Sequence, residues 1–106
     1  MKIIVVPVNE IPRSIEIDGS LESMQAVVGG LIQLYPLDNT DDVVIICNEE
    51  GKINGSAPNR VIIGADGRVE DVIYGDFFLC SAPPDSDEFE SIPDHLVDDY
   101  IRRFSF

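Results

Sequence analysis

The sequence has no tryptophan, one histidine, two cysteines and seven Lys and Arg against 20 Asp and Glu. Phosphate affinity comes from Lys and Arg, so a net charge of −13 argues against direct nucleic-acid binding. One His and two distant Cys cannot build a zinc cluster, and no metal or cofactor is expected. No apolar run approaches the ~20 residues of a membrane span. The stretch Met1–Val8 is too short for a secretory leader, and no small-residue cleavage site follows. Cys47 and Cys80 each lie inside an apolar run, as buried thiols do. Neither run offers the cationic or helix-terminal setting of a reactive cysteine. These absences lead to the expectation of a cytoplasmic protein without a membrane partner.

What is present suits a folded core. The 106 residues read as one domain over 1–106. Ile, Val, Leu and Phe supply 36 of them, above the roughly 20% below which charged chains stay disordered. Ile and Val together outnumber Leu and Ala by 25 to 10, so the core is built on a sheet. The pattern predicts α+β: a mixed, mostly antiparallel sheet of five to seven short strands, with helices over 20–28 and 92–103. Strands are expected near 2–8, 13–17, 31–35, 42–47, 60–63, 68–74 and 76–80, with 42–47 central. Pro36 stops the third strand, residues 38–42 form a turn, and Asp66-Gly67 closes a hairpin. Ser20 caps the first helix and Gly29-Gly30 ends it. Ser91, with Asp94 three residues on, reads as a capping box for the second. Ile92, Leu96, Tyr100 and Phe104 form the buried stripe of that helix, widened by Val97 and Ile101.

Two segments concentrate polar chemistry. Residues 48–59 are rich in turn formers, and Glu49, Glu50, Lys52, Asn54, Asn59 and Arg60 could together form a small polar site. The plainer alternative is that the asparagines make local turns and Lys52 pairs with Glu49 or Glu50. Gly51-Lys52-Ile53-Asn54-Gly55-Ser56 breaks the P-loop order, and no helix follows it. The second segment, 85–99, holds seven acids and no Lys or Arg. Asp85, Asp87, Glu88, Glu90 and Asp94 form either a solvated face or a surface for a basic protein, imitating the charge of nucleic acid. Weak cation binding is a third reading, although neither this run nor Asp38–Asp42 has EF-hand spacing. His95 lies among acids without a nearby nucleophile, so no catalytic residue is assigned.

Several stretches resemble one family. They are Leu21-Glu22-Ser23-Met24-Gln25 with Val28-Gly29-Gly30 and Tyr35-Pro36; Cys47-Asn48-Glu49-Glu50-Gly51-Lys52-Ile53-Asn54-Gly55 with Pro58-Asn59-Arg60; Ile73-Tyr74-Gly75-Asp76-Phe77-Phe78 with Ser81-Ala82-Pro83; and the helix ending near Phe104. The chain is similar to a family of small uncharacterised proteins, a domain of unknown function, of bacteriophages and bacterial conjugative and other mobile elements. The likeness covers nearly the whole chain. It implies a genomic setting rather than an activity, and relatives carry a bulkier apolar residue where this chain has Ser56-Ala57.

The expectation is therefore a non-enzymatic accessory protein, a monomer or homodimer, that binds a basic host protein. The alternative is a nucleotide-like small-molecule binder using the 48–60 loop.

Overall fold

The computed structural model describes residues 1–37 and 40–106. Among the described residues, seven strands and two helices follow in the order β1 (Lys2–Val6), β2 (Arg13–Glu16), α1 (Leu21–Val28), β3 (Ile32–Pro36), β4 (Val43–Asn48), β5 (Pro58–Ile63), β6 (Val69–Tyr74), β7 (Phe77–Ser81) and α2 (Asp94–Phe104). This is the expected α+β class, with every strand pair antiparallel. The strands divide into a five-stranded sheet, β2-β1-β7-β4-β3, and a separate β5-β6 hairpin. The middle position falls to β7, with β4 beside it and all six β4 residues buried.

Period-2 alternation sends strand side chains to two faces. On one face Ile3, Val44, Ile46, Phe78 and Cys80 pack with Met24 and Val28 of α1. On the other, Ile4, Val6, Ile45, Phe77 and Leu79 pack with Leu96, Tyr100 and Phe104 of α2 and with Ile62 and Ile73 of the hairpin. Both faces of the main sheet are thus covered, which explains the continuous apolar runs of β1, β4 and β7.

Helix α1 begins and ends as its sequence suggests. Ser20 Oγ accepts from the Ser23 N–H at 3.1 Å, and Gly29 takes the left-handed C-cap at φ 81°. Pro36 does not stop β3 but is its last residue, opposite Val44. β3 is an edge strand, where a residue without an N–H is tolerated. Of the turn expected over 38–42, Asp38 and Asn39 lie outside the described residues.

The capping box at Ser91 does not form. Ser91 Oγ instead accepts from the backbone N–H of Lys2 at 2.9 Å, while Ile92 N donates to Lys2 O at 2.9 Å. Glu90 pairs with Ser81 through two backbone bonds of 2.8 and 2.9 Å. Segment 90–92 is therefore held extended against β1 and β7, and helical turns start only after Pro93. Asp94, freed from capping, forms an ion pair with Lys2 that pulls its carboxyl below the usual range. Among the described residues no helix is long and apolar enough to cross a membrane.

Candidate functional site

The expected loop 48–59 is shorter at both ends, Asn48 closing β4 and Pro58 and Asn59 opening β5, and turns run through the stretch between them. Asn48 anchors it: its buried amide donates to Val28 O at 3.2 Å, and its Oδ1 accepts from Glu50 N at 2.8 Å. Glu49 N donates to Leu31 O at 2.8 Å, tying the turn to the start of β3. Gly51 is buried so tightly that an added Cβ would meet Tyr74 O at 2.8 Å. Lack of a side chain at Gly51 is what lets this turn approach β6.

The approach forms one side of a half-open cavity of about 270 Å³ between the main sheet and the hairpin. Gln33, Tyr35 and Cys47 line it from β3 and β4, Glu49, Glu50 and Lys52 from the turn, and Asp71 and Tyr74 from β6. Across its edge, Lys52 Nζ sits 2.6 Å from Asp71 Oδ1. The bond to Asp71 raises the Lys52 pKa, and reciprocally the Lys52 hydrogen bond holds the Asp71 carboxyl below its ordinary value. Burial, reinforced by the Glu70 and Asp71 charges, pushes the Tyr35 hydroxyl up. Burial likewise raises the Cys47 thiol.

The six loop residues singled out in the sequence do not act as one constellation. Glu49, Glu50 and Lys52 line the cavity, and Lys52 pairs with Asp71 rather than with either glutamate. Asn54 makes the expected local turn, its Oδ1 accepting from Ser56 N at 3.0 Å and Ser56 Oγ at 2.6 Å. Asn59 is a clamp instead: its amide donates to Val6 O at 2.7 Å and Gly75 O at 2.9 Å, fastening the hairpin to β1. Arg60 is spent on the fold. Its guanidinium donates to Phe104 O at 2.8 Å, Glu10 O at 2.8 Å and Asn59 Oδ1 at 2.6 Å, and it stacks 4.2 Å from the Phe106 ring centroid. Lys52 and Arg60 are therefore engaged separately, Lys52 with Asp71 and Arg60 with Phe104, Glu10 and Asn59. Around the cavity one ammonium faces the carboxylates of Glu49, Glu50 and Asp71, a balance that repels anions.

Residues missed in the sequence reading are Tyr35, Asp71 and Tyr74. Two of them carried a signal, since Tyr35-Pro36 and Ile73-Tyr74-Gly75 are among the stretches of family likeness. Asp71 carried none.

The acidic segment forms a pinned loop. The Ser81–Glu90 bridge closes it, Ser86 N donates to Pro83 O at 3.1 Å, and half-buried Phe89 packs on the α1 side of the sheet. Asp85, Asp87, Glu88, Glu90 and Asp94 are all exposed. Lys2 is paired with Asp94, Arg13 with Glu10, Lys52 with Asp71 and Arg102 with Asp99. Among the described residues no ion pair reaches Asp85, Asp87, Glu88 or Glu90. His95 is exposed. Also among the described residues, no group of three or more His, Cys, Asp or Glu is placed to hold a metal ion.

Residues 1–105 match the family described as Domain of unknown function (DUF3846), and the chain belongs to that family. No curated protein and no solved structure matches the chain.

Proposed function

We propose that this member of a family of unknown function acts by binding rather than by catalysis. It is read as a cytoplasmic accessory protein of a phage or mobile element that docks on a basic protein of the host. One observation carries this reading: an acidic loop, closed by backbone pairing at Ser81 and Glu90, presents Asp85, Asp87, Glu88 and Glu90 with no ion pair among the described residues. An anionic edge of this kind steers and orients a cationic partner. Its pull is screened beyond a Debye length of about 10 Å at 0.1 M salt.

The test is capture from nuclease-treated host lysate by the tagged protein at low and moderate salt, beside the variant Asp85→Lys/Asp87→Lys/Glu88→Lys. The reading expects a stoichiometric protein partner that salt weakens and charge reversal removes. Equal capture by the variant, or no partner at either salt, overturns it.

A further inference from the structure

We propose that the cavity between β3, β4 and β6 is a receptor for one arginine side chain of a basic protein partner. The inference rests on the docking reading above and adds to it a specific anchor. At about 270 Å³ the cavity falls just below the roughly 300–1,000 Å³ of small-molecule sites, so it suits one inserted side chain better than a whole cofactor.

Its chemistry selects a cation. Glu49, Glu50 and Asp71 outnumber Lys52, and Glu70 adds a further carboxylate close enough to act on Tyr35. The chain's own Lys52 ammonium already rests on Asp71, within the electrostatic reach of the Tyr35 and Tyr74 hydroxyls. That seat is held by a long side chain that remains well exposed and can swing aside.

Its aromatic lining favours a flat cation. Two aromatic side chains from different sheets, Tyr35 and Tyr74, contribute to the lining. A guanidinium stacks on aromatic faces better than an ammonium and offers a fork of N–H donors. Asp71 has a matching edge. Lys52 Nζ and the Val72 N–H both donate to Oδ1, and Oδ2 takes neither bond. An incoming guanidinium can bond Oδ2 directly, or displace Lys52 and take both oxygens.

The experiment is a titration of the full-length ¹⁵N-labelled protein, followed by NMR, with the peptide Ac-Gly-Arg-Gly-NH₂. Its citrulline counterpart is the neutral isostere, and agmatine and AMP are comparison ligands. Saturable shifts are expected at Tyr35, Cys47, Lys52, Asp71 and Tyr74, with about tenfold weaker binding of the citrulline peptide. The exposed-residue variant Glu49→Gln/Glu50→Gln should weaken the arginine peptide several-fold while leaving the fold intact, and Asp71→Asn should weaken it further. Equal affinity for the citrulline peptide, shifts confined to residues 85–94, or tighter binding of AMP would overturn the site. Agmatine binding more than tenfold tighter than the peptide would overturn the protein source of the guanidinium. The two readings fail separately. A silent cavity beside intact, charge-dependent partner capture removes this inference alone. Arginine-peptide binding beside charge-independent capture removes the acidic-loop reading and leaves the guanidinium site standing.

Discussion

Arg60 Nε donates to the carbonyl of Phe104 at 2.8 Å, joining the first strand of the hairpin to the last residue of α2. The same guanidinium reaches Glu10 O, so three distant segments converge on one side chain. Arg60→Ala is expected to lower stability by about 2–3 kcal/mol, roughly 10 °C in Tm, because several charge-assisted bonds and a ring stack are lost together. Arg60→Lys should recover little, since one ammonium cannot span those acceptors. Urea and thermal melts check the size. Binding of the arginine peptide at the Tyr35–Tyr74 cavity should persist in Arg60→Ala at temperatures where the variant is folded.

How much of this was legible in the sequence depended on whether the deciding partner was local. The Ser20 cap, the Gly29 stop, the β4 run and the Leu96-Tyr100-Phe104 stripe follow short-range rules, and the structure keeps them. Ser91 obeyed a local rule too, yet Lys2, distant in the chain, claims its hydroxyl. Lys52 had two acids beside it and chose Asp71, because the hairpin folds back over the turn. Arg60 resembled a ligand-binding fork until three carbonyl-bearing segments were brought round it. The cavity was illegible for the same reason: its walls come from β3, β4, the turn and β6, and only the turn stood out as polar.

Gly51 and Gly55 make a test of space against conformation. A Cβ at Gly51 would press on Tyr74 O at 2.8 Å, whereas Gly55 has nothing within 4 Å but a φ of +85°. Gly51→Ala is expected to cost about 1–3 kcal/mol and to push the turn off β6, weakening arginine-peptide binding with it. Gly55→Ala should cost about 1–2 kcal/mol through backbone strain and leave that binding unchanged. Peptide titration of the two variants, matched for stability by temperature, separates the effects.

Asp18 supports the start of α1 through its carboxylate. Its Oδ1 accepts from Ser20 N at 2.8 Å, and the Ser20 hydroxyl, Ser20 N–H and Ser23 hydroxyl hold its pKa down to about 2, from an ordinary 3.8. The folded value lies below the unfolded one, so this contribution is fully present above about pH 4. It fades as pH falls toward 2. The urea-midpoint gap between the native protein and Asp18→Ala should be steady from pH 7 to pH 5 and shrink below pH 4. Direct NMR titration should place the Asp18 midpoint about two units below that of a free carboxylate; a midpoint near 3.8 would refute the assignment.

Cys80 and Cys47 differ in how far the fold guards them. Cys80 has no exposed surface, and burial pushes its thiol up to about 12. At pH 8 only about one molecule in ten thousand then carries the reactive thiolate, and that thiolate is out of reach of solvent. Cys47 is also buried and raised, but it lines the cavity and its Sγ contacts Gln33 O at 3.6 Å on the edge strand β3. Labelling with a small alkylating reagent should therefore reach Cys47 first, through local opening at β3, with saturating arginine peptide slowing it. Cys80 should label only at the rate of global unfolding, so that its rate rises with urea in step with loss of the fold. Equal rates for the two thiols in native buffer, measured by peptide mass spectrometry, would show that the sheet opens at β7 as readily as at its edge.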